Sequence, residues 1–177
     1  LGKRNYRELL NIIFRNLIIA LLISLLIIVF KPFLLNVVNQ IFSTTGQTKI
    51  FVNEYISIRL FSAPAELVIY VLVGFYLGIQ RTFISSLLII TFSILNIILS
   101  IYFVMILNLD VKGVALGTVL SSYLTIIVFS FFTYQFIIKK FKVIPRINQK
   151  KIIDLKKLIK LFNINFNIFI RTILLTF

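Results

Sequence analysis

The sequence predicts an all-α fold, a polytopic bundle of transmembrane helices, and three observations point there. Of the 177 residues 60% are hydrophobic and only 14% charged, where an ordinary soluble domain has roughly half and about a quarter. The apolar residues are gathered into runs of about 20, the length that crosses a bilayer core of about 30 Å as helix. The charge is lopsided, with 19 Lys and Arg against 5 Asp and Glu, and most of it lies between the apolar runs, as loop charge does in membrane proteins.

The first apolar stretch runs from about 11 to 30, and Lys31-Pro32 closes it with a charge and a residue that has no N–H to donate. It lacks a small-residue cleavage site and is longer than the apolar part of a signal peptide, so it is expected to stay in the membrane. From 31 to 55 the composition is mixed, and Ser43, Thr44, Thr45, Gly46, Gln47 and Thr48 form the polar cluster of a loop. The second span occupies about 56 to 79 and the third about 82 to 107, with Gln80-Arg81 as the turn between them. Asn108 to Gly113 makes another turn, and the fourth span occupies about 114 to 138. From 139 to 160 the chain changes to Lys, Arg and Asn, a basic connector. The spacing of Ile147, Lys150, Lys151, Asp154, Leu155 and Leu158 leaves two readings of it, a solvated link or a helix along an anionic leaflet. The last apolar run, 161 to 177, reads as the start of a fifth, truncated span. Since the sequence begins at Leu1 and stops inside an apolar run, it is expected to be a piece of a longer protein, with further helices of the same polypeptide as its partners.

Orientation follows from the basic residues, because short cytoplasmic loops carry an excess of Lys and Arg. Thirteen fall on one side: Lys3, Arg4, Arg7, Arg81 and nine from Lys139 to Lys160. Three, Lys31, Lys49 and Lys112, fall on the other, and Arg15, Arg59 and Arg171 lie within or at the edges of apolar runs. This places the N-terminus and the 139–160 segment in the cytoplasm. Net charge of +14 is thereby loop topology, and no nucleic-acid partner is expected, since such a partner needs a basic face on a soluble fold.

With no His and no Cys there is no imidazole base, thiolate nucleophile or thiolate zinc site. Within the predicted spans stand one carboxylate and no Lys, too few for intramembrane proteolysis or metal chemistry. No enzyme, catalytic residue, metal or cofactor is expected.

Polar groups in hydrocarbon are costly, so their angular placement is informative. On the second span Arg59, Ser62, Glu66, Tyr70 and Leu77 fall within an arc of about 80° at 100° per residue. On the third, Thr82, Ser85, Ser86, Ser93, Asn96 and Ser100 fall within about 100°. Two such stripes predict two helices facing a shared polar interior, although hydroxyls of this kind also serve simply to join neighbouring helices. Glu66 needs a cation, a hydrogen-bond partner, water or a proton. Arg59 lies about 10 Å away along the axis, so it pairs with Glu66 only if both lean, and the alternative is that it snorkels to the interface. Gly74 and Gly78, and Gly113 and Gly117, form GxxxG pairs whose default meaning is close helix packing, and Ser121 and Thr125 extend the second pair. Pro64, between two alanines, is expected to loosen the helix by removing one backbone bond.

From Tyr55 to Tyr123 these features come in a specific order: Ile58-Arg59, then Ser62-Ala63-Pro64-Ala65, Gly74, Leu77-Gly78-Ile79-Gln80, Leu95-Asn96-Ile97-Ile98-Leu99, Val111 to Thr118 and Tyr123. This resembles the multidrug and toxic compound extrusion (MATE) family, in its DinF-like branch. The resemblance implies that the four spans are helices 3 to 6 of a twelve-helix transporter, within its N-terminal lobe. The basic segment is then the cytoplasmic link between lobes, and 161–177 the start of helix 7. It further implies a multi-pass protein of the bacterial cytoplasmic membrane that exports organic, often cationic, compounds by alternating access. The partners so implied are the bilayer, a small organic substrate and coupling H+ or Na+. Glu66, Tyr70, Asn96, Ser100 and Arg59 are the cavity candidates. Ser100 stands where the branch often has Asp, and Glu66 where it usually has a small or neutral residue; the family's better-known cation-site acid lies in helix 1, outside this chain. Two other readings stay open: a flippase for lipid-linked sugars, expected to have a more charged cavity, and a non-transporting membrane remnant.

Overall fold

The computed structural model describes residues 6–42 and 45–141, together with positions 159, 161–164, 166–167, 170, 171 and 174. The connector from 142 to 158, and with it either reading of that segment, lies outside the described residues. Among the described residues every regular element is helical: α1 (Tyr6–Val29), α2 (Lys31–Ile41), α3 (Gly46–Arg59), α4 (Ala63–Gly78), α5 (Thr82–Ile101) and α6 (Asp110–Phe136). Four stretches are long and apolar enough to cross a bilayer: Glu8–Val29, Gly46–Gly78, Thr82–Ile106 and Asp110–Lys139.

The stretch expected as a loop after the first span is instead a helical hairpin. Pro32 is the reason at its start: a proline at a helix's first turn leaves no N–H unsatisfied and presets φ, so Lys31-Pro32 opens α2 as well as ending α1. Phe30 bridges the two, its N–H bonded to the Leu26 carbonyl at 2.9 Å and its carbonyl accepting from Leu34 at 3.0 Å. The part of the polar cluster from Gly46 to Thr48 is absorbed into α3, which begins at Gly46 rather than at 56, and Thr45 stands just before it; Ser43 and Thr44 lie outside the described residues.

A 3₁₀ turn, Leu60–Ser62, separates α3 from α4. Pro64 sits in the first turn of α4. Both helices nevertheless belong to one continuous stretch long and apolar enough to cross a bilayer, Gly46–Gly78. Gln80, with φ of 59°, reverses the chain into α5. At the other end of α5 the ladder widens into a π turn, Tyr102–Ile106, and Asn108 (φ 51°) and Asp110 (φ 44°) carry the next reversal, residues whose short polar side chains tolerate the left-handed region. Asp110 thereby opens α6 instead of standing in the loop, an acid where the helix dipole favours one.

α6 is the central helix, packed against α3, α4 and α5. Its small residues allow that: Gly113, Ala115, Gly117, Thr118, Ser121, Ser122 and Thr125 are all buried, and in membranes such residues let backbones close on one another where hydrophobic drive is absent. Two apolar clusters complete the bundle, Leu10 with Phe75, Tyr76 and Ile137, and Ile69 with Leu72, Leu88 and Phe129.

Candidate functional site

The polar residues gather at two places along the bundle. The first is the break between α3 and α4. Arg59 ends α3, and its Nη1 lies 2.5 Å from Glu66 Oε1 in the first turn of α4, so both side chains lean and the snorkelling alternative does not occur. The same guanidinium donates to Ser62 Oγ, and Ser62 Oγ donates to the Arg59 carbonyl at 2.7 Å. Ser62 is fully buried. The Tyr123 hydroxyl reaches over from α6 and donates to the Phe61 carbonyl at 3.1 Å, beside the proline that has no N–H to offer. A broken helix inside a bilayer must find such partners for its freed backbone.

The second place is where α5 and α6 cross. Asn96 Nδ2 donates to Thr118 Oγ1 at 2.9 Å, and Thr118 Oγ1 donates in turn to the Val114 carbonyl at 3.1 Å. One turn on, Ser100 meets Gly117: a Cβ there would lie 2.5 Å from Ser100 Oγ and 2.7 Å from its backbone nitrogen. Ser100 Oγ is buried with no hydrogen-bond partner among the described residues. Gly113 packs in the same way on the π turn, its Cβ position 3.0 Å from the Phe103 carbonyl carbon.

The two places are separate. Among the described residues no hydrogen bond or ion pair joins Arg59 or Glu66 to Asn96 or Ser100. Across α4 and α5 the polar contact is Ser85 Oγ donating to the Val73 carbonyl at 3.1 Å, amid the Ile69, Leu72 and Leu88 cluster. Ser86 is exposed, as is Ser93, which bonds its own helix at the Ile89 carbonyl, 3.0 Å away. Tyr70 also departs: it is 65% exposed, because each four-residue step along a helix precesses by about 40° and two steps carry the stripe from Ser62 off the buried face. It lines a separate groove of about 610 Å³ between α1 and α4, with Asn16 opposite and Gly74 and Gly78 in its floor. Those two glycines face open space, with nothing within 4 Å of either Cβ position; their expected close packing is absent among the described residues.

Sequence reasoning missed other polar residues here. Arg15 is almost fully buried and paired with Glu8 at 3.2 Å, again seven residues away on one helix; Glu8 also accepts from Asn11 Nδ2 at 3.4 Å. Ser121 and Thr125, which extend the Gly113–Gly117 series, bond within α6, Ser121 on the Thr118 carbonyl at 2.9 Å and Thr125 on the Ser121 carbonyl at 2.7 Å. Tyr76, on α4, bonds Thr133 of α6 at 2.8 Å. Its position in an apolar run gave no hint of that partner. No group of three His, Cys, Asp or Glu among the described residues could hold a metal ion.

Three relatives show similarity to this chain. It is 31% identical over 127 residues, 72% of its length, to DNA damage-inducible protein F of Escherichia coli (strain K12), of which that stretch covers 28%. It is 25% identical over 156 residues, 88% of its length, to Multidrug export protein MepA of Staphylococcus saprophyticus, covering 34% of it. Over 110 residues, 62% of its length, it is 29% identical to Multidrug export protein MepA of Staphylococcus haemolyticus, covering 24%. The chain thus spans about a third or less of the relatives it matches. No solved structure matches. The MatE family model matches residues 1–102, more than half of a chain with four helical stretches long and apolar enough to cross a bilayer, and the chain belongs to the MatE family of membrane transporters.

Proposed function

We propose that the polypeptide containing this chain is a cation-coupled efflux antiporter. It exports organic, often cationic, compounds across the bacterial cytoplasmic membrane by alternating access, in exchange for H+ or Na+. The observation that carries the reading is the family match over residues 1–102. Similarity to a relative named a multidrug export protein, over 88% of this chain, supports the choice of substrate class. In this reading the chain supplies four spans of the N-terminal lobe, with its N-terminus and basic connector in the cytoplasm.

The Arg59–Glu66 pair gives the proposal its chemistry. A carboxylate inside a membrane span is expensive unless paired or protonated, and here Arg59 is the pairing cation. A proton, or an organic cation arriving at Glu66, competes with Arg59 for the same charge. The pair bridges the 3₁₀ turn and Pro64, so its release frees α4 to change its angle to α3. Asn96 and Ser100, at the α5–α6 crossing, are the polar positions proposed to sense that change; Tyr70 stands in the outer groove as an aromatic surface for a cation.

The test is export of ethidium by the complete coding frame in a drug-sensitive host. Export that collapses with an ionophore is the expected result, together with loss of most of it in Glu66→Gln. A complete, well-expressed frame that exports nothing overturns the antiporter reading, and wild-type export by Glu66→Gln overturns the role of that carboxylate alone.

A further inference from the structure

The hairpin of α2 and α3 extends past the bilayer core. At 1.5 Å per residue, α1 alone covers about 36 Å, so the core of about 30 Å has been crossed when α2 begins. The crossing made by α3 and α4 is 33 residues long, or about 50 Å, which exceeds the core by about 20 Å. The excess lies at the start of α3, where Gln47, Thr48, Lys49, Asn53 and Glu54 are found. Both excesses therefore stand at one membrane face, in and beyond the layer that polar head groups occupy.

α2 is amphipathic and has no buried residue. Phe33 and Ile41 stand exposed on one side, at 62% and 70%. Asn36, Asn39 and Gln40, with Pro32, Leu35, Lys49 and Asn53, line a cleft of about 560 Å³ beside them. Asn39 Nδ2 donates to Asn53 Oδ1 at 2.8 Å and fixes the two walls. The lining carries one ionised group, Lys49, and no acid. The nearby charges are engaged elsewhere: Glu54 pairs with Lys112 at 3.0 Å, and Lys31 lies over the Phe61 ring, 5.5 Å from its centre.

We propose that this cleft binds the head group of an anionic phospholipid, a phosphate ester bearing a small polyol. Lys49 takes the phosphate, the carboxamides of Asn36, Asn39, Gln40 and Asn53 supply donors and acceptors for the hydroxyls, and Phe33 lies with the acyl chains. A lipid is the occupant because the cleft opens at the depth of the head groups of the non-cytoplasmic leaflet, beside an exposed apolar face, and Lys49 carries the charge complementary to a phosphate. The volume falls within the range of small-ligand sites, about 300–1,000 Å³. The site is independent of whatever the protein exports.

The experiment is native mass spectrometry of the full-length protein in detergent, titrated with phosphatidylglycerol or phosphatidylcholine. Several-fold preferential retention of phosphatidylglycerol is expected, lost in Lys49→Gln and in Asn36→Leu, and retained in Lys49→Arg and Lys112→Gln. Equal retention of the two lipids, or an unchanged preference in Lys49→Gln, overturns the proposal. So does displacement of the lipid by glycerol 3-phosphate at matched concentration, which would assign the cleft to a soluble ester. Lys49 is exposed, and the thermal midpoint of each variant separates lost binding from lost fold.

Discussion

Gly117 has no room for even one carbon. Its Cβ would press on the backbone nitrogen and Cα of Ser100, at 2.7 and 2.8 Å, and backbone cannot swing aside as a side-chain tip can. Overpacking of this kind costs about 1–3 kcal/mol, so Gly117→Ala is expected to lower the unfolding midpoint of the purified protein, while Gly74→Ala, facing open space, leaves it unchanged or slightly raised. Unfolding in detergent, followed by circular dichroism, checks both, and equal losses would show that α4 packs as closely as α6. The two GxxxG pairs are indistinguishable in sequence. What separates them is the element on the other side, and a spacing within one helix cannot encode that. Ser100, Asn96, Glu66 and Arg59 could be named from sequence because a polar group in hydrocarbon is conspicuous. Their grouping could not be, since it depends on which face each neighbouring helix turns.

At the scale of elements the break between α3 and α4 combines a 3₁₀ turn, a proline and an ion pair. Removing one charge of the pair leaves the other in the membrane without its partner. The side chains keep 32% and 18% of their exposure, so Arg59→Gln or Glu66→Gln alone is expected to cost about 2 kcal/mol, below the roughly 3–5 kcal/mol of a fully buried pair. The double variant is expected to lose less than the sum, with a coupling of about 1 kcal/mol or more. A double-mutant cycle measured by unfolding would refute the pairing if the effects simply added. The break itself was readable from Pro64, and the apolar cores of all four spans from hydropathy. The α2–α3 hairpin was not. Its Asn, Gln, Ser and Thr have loop composition, and it is helical because Pro32 presets the first turn of α2 and Asn39 and Asn53 bond across the hairpin at 2.8 Å.

For the whole molecule, the count of Lys and Arg predicts a side of the membrane for each end of the bundle. These 177 residues hold no cysteine, so single cysteines placed among them, with any elsewhere in the polypeptide replaced by serine, measure that prediction. A single cysteine at Thr45 is expected to react with an impermeant maleimide in intact cells, and one at Lys150 only after the cells are opened; the reverse pattern would invert the topology. The centre of the bundle was the least legible part. α6, buried along its small residues, is the element around which α3, α4 and α5 pack, yet Ser121, Ser122 and Thr125 bond carbonyls of their own helix, and the partners that Thr118 and Thr133 find on α5 and α4 cannot be read from α6 alone. The π turn at Tyr102–Ile106, where the Leu107 N–H reaches back to the Tyr102 carbonyl at 3.3 Å, holds one residue more than an α ladder needs. Loss of a residue there would only tighten the ladder, whereas loss of one elsewhere in α5 or α6 would turn everything downstream by about 100°. Tyr102–Ile106 is thus a place between α5 and α6 where the chain is expected to tolerate the loss of one residue without rotating α6 against its neighbours.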